Sequence, residues 1–275
     1  MLTIHQTKKG WRDARWSKTG LLPIGRTEAA LEFLEEASNF PAFYFLFGTW
    51  GAGKTAILEG FNKVNRDAIY IEARPREREN RFFRRLGEML NVTGNLPFVT
   101  VIHEIALRLR GTSTMSSDEE PHQHENAPFP QKRRTLLVDE SHLLSSPAYD
   151  CLRWLADAHP SDGIFGKVSV VLAGSMRLDN KMNHPRYGDI IARRLGEFHL
   201  PVPTESDVRA LLDSLGFNEN MQHYITSQTV ARGGTLHMVE SYLQGAFHYA
   251  KRKNIKTFEI QPQHFMRSME AAQAV

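Results

Sequence analysis

Cysteine is almost missing from this chain: among 275 residues, Cys151 is the single thiol. One cysteine excludes an intrachain disulfide and suits a reducing compartment, so a cytoplasmic location is expected. The residues around Cys151 read as an amphipathic helix, which makes packing its expected role. Long apolar runs are missing too. None approaches the roughly eighteen residues of a membrane helix, so no membrane partner is expected. The start, Met1-Leu2-Thr3-Ile4-His5-Gln6-Thr7-Lys8-Lys9, is polar and then basic, unlike a secretory signal. There is no internal repeat, and no strong excess of either charge, the net charge being +3.

What is present suffices for one sizeable core and a small second domain: 41% of the residues are hydrophobic and 24% charged. The charge is unevenly placed. Lys8, Lys9, Arg12, Arg15 and Lys18 face a single acid, Asp13, with Trp11 and Trp16 between them. Residues 74–85 hold six arginines (Arg74, Arg76, Arg78, Arg81, Arg84 and Arg85) against Glu77 and Glu79. Either cluster alone is as well explained by solvated surface. Together they point to a polyanion partner.

Residues 1–20 read as an extended basic arm. A helix is expected over 27–38, with Thr27 as its N-cap. Four short apolar runs follow, at 43–47, 68–71, 135–138 and 168–173, with a fifth at 197–201. None alternates cleanly, which suits strands buried on both faces of a parallel sheet. Helical patterns at 54–65, 79–90, 98–110, 147–157 and about 187–195 separate them. This order predicts an α/β domain over 21–202, a parallel sheet flanked by helices. Residues 111–134 break the pattern with a polar stretch that predicts a mobile loop. Its His122 and His124 lack the further ligand that a metal site needs. From 203 onward the pattern is purely helical. Thr204-Glu205-Ser206-Asp207 offers capping chemistry, and helices are expected near 218–231, 235–252 and 262–272. The segment 203–275 is therefore expected to form a small all-α domain, with Gly233-Gly234 as a break between helices.

The stretch Gly48-Thr49-Trp50-Gly51-Ala52-Gly53-Lys54-Thr55 fits G-x-x-x-x-G-K-[ST]. Its glycines let the backbone wrap phosphates at a helix N-terminus. Lys54 reaches the β- and γ-phosphates of ATP and Thr55 ligates Mg²⁺. An apolar run precedes it and a helical pattern follows, as such a loop requires. Leu136-Leu137-Val138-Asp139-Glu140 supplies the second half: Asp139 beside the metal, Glu140 orienting and polarising the attacking water. Val170-Val171-Leu172-Ala173-Gly174-Ser175 is a further strand with a polar end. If it lies between the first two, Ser175 faces the γ-phosphate. Arg193 and Arg194 have no task within one protomer's own site. In ring or filament ATPases a neighbour's arginine stabilises the transferring phosphoryl, and Arg193 is the favoured finger, with Arg194 as the fallback.

The order Leu22-Pro23-Ile24-Gly25-Arg26, phosphate loop, acidic strand, polar strand end, arginine pair and helical lid resembles AAA+ proteins of the initiator clade. Within it the chain is most similar to the transposition regulators (the TnsC, TniB and MuB group, with IstB as a cousin). The resemblance spans about 21–255, and Val171-Leu172-Ala173-Gly174-Ser175-Met176-Arg177-Leu178 is its closest local match. It implies an ATP-dependent homo-oligomer, ring or filament, on double-stranded DNA, which marks the target and recruits a DDE transposase with a target-selector protein. It also implies adenine contacts from Ile24 and Gly25, and nucleotide contacts along Gly48, Thr49, Trp50, Gly51, Ala52, Gly53, Lys54, Thr55 and Ala56. DNA contacts are implied for Arg74, Arg76, Arg78 and Thr100. His237 stands roughly where the lid arginine of the family senses nucleotide, a departure from the pattern. No N-terminal helix-turn-helix and no C-terminal winged helix are expected. Two other readings fit: a helicase-loader-like initiator ATPase, and a signalling switch that holds ATP without DNA.

Overall fold

A computed structural model describes residues 21, 25–110, 134–159, 161, 167–231, 236–256 and 259–262, without the side chains of 231, 236, 237, 240 and 248. The basic arm 1–20, Ile24, the insert up to 133, Gly233-Gly234 and the helix expected at 262–272 therefore lie outside the description (only its first residue is included), as does the His237 side chain.

In chain order the elements are α1 (Gly25–Asn39), β1 (Phe43–Gly48), α2 (Lys54–Val64), β2 (Ala68–Glu72), α3 (Glu79–Met89), α4 (Phe98–Leu109), β3 (Thr135–Asp139), α5 (Ser146–Ala156), β4 (Ser169–Gly174), α6 (Met176–Met182), α7 (Gly188–Ile191), β5 (Arg194–Leu200), α8 (Glu205–Ser214), α9 (Glu219–Ala231) and α10 (Leu236–Lys253). Short 3₁₀ turns occupy Ser141–Leu143 and Pro185–Tyr187. By contacts the chain divides into two units, one joining 29–47 with 54–199, the other joining the described parts of 1–28, 48–53 and 200–275.

The first unit is built on a sheet of order β2-β3-β4-β1-β5. Strands β1, β3 and β4 are buried at every residue. Helices cover both faces of such a parallel sheet, which is why these segments lack alternation. The register sets Phe47 beside Gly174 and Glu72 beside Asp139, so strands β1–β4 end at the same edge. Helix α3 buries Phe82, Phe83 and Leu86, and α4 buries Val101, Ile102, Ile105, Ala106 and Leu109 in the same core. Arg110 closes α4 in full burial. It donates to the carbonyls of Ala106 (2.8 Å), Leu155 (2.8 Å) and Asp157, and burial holds its guanidinium down to about 10.

The second unit has its own core of Val208, Leu212, Phe217, Met221, Ile225, Val239, Tyr242 and Ala246. Helix α8 opens on a reciprocal cap: Thr204 Oγ1 accepts from the Asp207 amide at 3.2 Å, and Asp207 accepts from the Thr204 amide at 2.8 Å.

Three local expectations need correction. Helix α1 starts at Gly25, so Thr27 is an inner helical residue, buried with Arg26; burial overrides its capping preference. The helix expected near 187–195 is only α7. The Phe43 amide bonds the Arg193 carbonyl at 3.2 Å, and sheet pairing claims Arg194 as the first residue of β5. Helix α6, directly after Ser175, is an element that the apolar spacing did not reveal.

Candidate active site

The phosphate loop follows β1. Gly51 and Gly53 both take positive φ, 71° and 95°, a conformation open to glycine at little cost. The Ala52 amide bonds the Thr49 carbonyl at 3.2 Å, and the buried Arg26 guanidinium donates through Nη2 to the Ala52 carbonyl. The turn leads into α2, whose first residues are Lys54 and Thr55. Helix starts leave amides without intrahelical partners, which is what a phosphate group can use.

Lys54 is 6% exposed and Asp139 1%. Burial pulls the Lys54 ammonium down, while Glu140 and Asp139 pull it back up. Asp139 is held by three donors: Thr55 Oγ1 at 2.6 Å and Tyr70 Oη at 3.2 Å on one oxygen, and the Glu140 amide at 2.8 Å on the other. Tyr70 reaches it because its register partner is Leu137, and alternation puts Leu137 and Asp139 on one face of β3. Sequence reasoning missed Tyr70, since a tyrosine in an apolar strand carries no motif of its own.

Glu140 follows in the left-handed region at φ 49°, a strained conformation for a residue with a side chain. Burial and the neighbouring Asp139 charge raise its carboxyl above the ordinary glutamate range, with Lys54 opposing. The turn it opens is tied down. Ser141 Oγ donates to the Ala173 carbonyl at 2.8 Å, and Tyr149 Oη to the Ser141 carbonyl at 2.5 Å. Lys181 Nζ donates to the carbonyls of His142 and Leu144, at 3.1 and 2.6 Å.

Strand β4 does lie between β3 and β1. Ser175 thus stands at the strand-end edge between the phosphate-loop strand and the acidic strand. It caps α6, its Oγ accepting from the Arg177 amide at 3.3 Å.

Thr55 and Asp139 present hard oxygen donors in contact with each other. Among the described residues no cluster of three His, Cys, Asp or Glu could enclose an ion without help. The hydroxyl and carboxylate oxygens of Thr55 and Asp139 are the donor type that fits Mg²⁺, an ion bound by one or two carboxylates together with waters and substrate phosphates.

The arginine pair is engaged within its own chain. Arg193 Nε lies 3.2 Å from both Asp157 carboxylate oxygens and Nη1 donates to the Asp189 carbonyl at 2.7 Å, while Arg194 pairs with Glu197. Arg193 still leaves 37% of its side chain exposed.

Arg74, Arg76 and Arg78 lie in the exposed turn between β2 and α3, and Thr100 is exposed in the first turn of α4. With Arg81 these arginines make no side-chain hydrogen bond or ion pair among the described residues. Arg84 and Arg85 of the same cluster are committed, to Asn80 and Leu96 and to Glu77 and Glu72 respectively.

The same architecture occurs in solved structures. Orc1 of Aeropyrum pernix, in complex with DNA, superposes at a TM-score of 0.63 with 18% identity, over 94% of this chain and 69% of that one. Cdc6p of Pyrobaculum aerophilum gives 0.64 with 15% identity, over 90% and 68%. A RuvB mutant of Thermotoga maritima gives 0.51 with 13% identity, over 90% and 68%. The fold is that of an AAA+ ATPase domain. No family model and no curated protein matches the sequence. Identity this low establishes the AAA+ fold alone, and the likeness to transposition regulators rests on the sequence. Among the described residues no helix is long and apolar enough to cross a membrane.

Proposed function

We propose that this chain is a Mg²⁺-dependent ATPase that assembles on duplex DNA and uses hydrolysis to control that assembly. The observation that carries the hydrolase reading is the contact of Thr55 with Asp139 beside Glu140 and the buried Lys54. In this reading the loop amides and Lys54 bind the β- and γ-phosphates. Thr55 and Asp139 would hold Mg²⁺, which would supply charge neutralisation for the phosphoryl group. Glu140 accepts a proton from the attacking water, and Ser175 orients that water. A neighbouring protomer contributes Arg193.

The DNA reading is supported by Arg74, Arg76, Arg78 and Arg81, four exposed cations on one stretch with no side-chain hydrogen-bond or ion-pair partner among the described residues. Phosphate contacts of this kind carry no sequence information, so binding is sequence-tolerant and weakens steeply with salt. The finer role is regulation of transposition: marking a target for a DDE transposase together with a target-selector protein. It is supported by the motif order and by the stretch Val171–Leu178. The structural likeness to Orc1 and Cdc6p favours a second reading, an initiator or helicase-loader type of ATPase.

Negative-stain microscopy with duplex DNA and a slowly hydrolysed ATP analogue tests the proposal. Nucleotide-dependent rings or filaments are expected, and monomers that ignore DNA would overturn the assembly reading. Stimulation of a transposase by such assemblies, against loading of a replicative helicase, separates the two finer roles.

A further inference from the structure

The turn after Glu140 holds a side chain that the mechanism above leaves unused. His142 is only 11% exposed, and its Nδ1 has no hydrogen-bond partner. Leaving a buried polar atom unsatisfied costs free energy, so the arrangement calls for a reason. The nearest opposite group is the Glu140 carboxylate, with Oε2 at 3.4 Å from Nδ1. That is just beyond a good hydrogen bond. Catalytic hydrogen bonds are often long before substrate binds and tighten in the loaded complex.

We infer that His142 is a positioning residue for Glu140, donating from Nδ1 to Oε2 so that the other carboxylate oxygen is turned to the attacking water. Three observations support this. A carboxylate facing Nδ1 selects the tautomer that carries its hydrogen there. Burial and the cations Arg177, Lys181 and Lys54 pull the His142 imidazole below its ordinary range, with Asp139 opposing, which favours the neutral ring as a directed donor. The His142 backbone is pinned by Lys181, and the Ser141 hydroxyl binds β4, so the ring has a fixed base from which to aim.

The inference rests on the hydrolase reading and deepens it. The test is steady-state ATP turnover of His142→Ala, His142→Asn and His142→Gln, with binding of a fluorescent ATP analogue measured alongside. Asparagine places an amide nitrogen at the Nδ1 position, one bond from Cγ, whereas glutamine places it one bond farther out. His142→Ala is expected to lower kcat about 10- to 100-fold with KM and analogue affinity unchanged. Asn is expected to restore most of that loss and Gln little of it. In a Glu140→Gln background, His142→Ala is expected to cost nothing further. A kcat within twofold of the parent for His142→Ala, or equal loss in the Asn and Gln variants, overturns the inference and leaves the hydrolase reading intact. A parent protein that binds ATP and turns none over overturns both.

Discussion

Arg85 grips the Glu77 carboxylate with two donors, Nε at 2.8 Å and Nη2 at 2.6 Å, and the Arg74 amide lies 3.3 Å from the same group. This bidentate pair fixes the turn that displays the unpaired arginines. Glu77 is 4% exposed and Arg85 21%, so removing one partner strands a charge in a largely dry place. Glu77→Ala is expected to lower stability by about 2–4 kcal/mol, less than a fully buried pair because Arg85 retains some solvent. Urea unfolding of the variant against the parent measures it.

Arg76 sits in the same turn at φ 59°. Glycine takes that conformation without strain, so Arg76→Gly is expected to match the parent in stability or exceed it slightly. In the proposed DNA interface, one phosphate contact is lost with the guanidinium. The slope of log affinity for duplex DNA against log salt should therefore fall by about 0.9. An unchanged slope would remove Arg76 from the DNA interface.

Lys54→Ala is expected to abolish nucleotide binding. Glu140→Gln should keep binding, lower turnover by at least about 10²-fold and leave assemblies trapped on DNA. Analogue titration and phosphate release distinguish them, and normal turnover in Glu140→Gln would remove that residue from its role.

How far these residues could be read from sequence varied with what each needs from the fold. The phosphate loop and acidic strand are contiguous motifs whose flanking patterns announce their context. The order along the chain leaves the place of β4 between β1 and β3 as a condition, and the sheet meets it. Tyr70 and His142 escaped, because each acts through a partner that only register or a turn brings near. The six arginines at 74–85 read alike in sequence. Only the structure separates Arg84 and Arg85, which are bound to their own chain, from the four that face solvent.

Arg193 is held toward Asp157 within its own protomer, so its service to a neighbour can be tested by mixing. Arg193→Ala and Glu140→Gln proteins, which both keep nucleotide binding and so can assemble, should each be nearly inactive alone. Mixed in equal amounts they should regain measurable turnover, since an intact finger then meets an intact site. If Arg194→Ala complements in this way and Arg193→Ala stays active, the roles are exchanged.

Burial pushes the Cys151 thiol up to about 11, with Asp150 and Glu79 adding to the effect. Below that value the reactive thiolate is scarce, and it grows about tenfold with each pH unit. Alkylation at pH 8 should run roughly 100-fold slower in the native protein than in urea. Equal rates would mean that the thiol is free on the surface.

The glycine turn after β1, the proposed cradle for the phosphates, also carries Trp50, which is 67% exposed. An indole in water emits at longer wavelength than one that is covered, so the chain has an optical probe built into its nucleotide loop. If ATP or a second protomer covers that loop as proposed, a blue shift is expected in unlabelled protein, with Trp50→Phe as the blank.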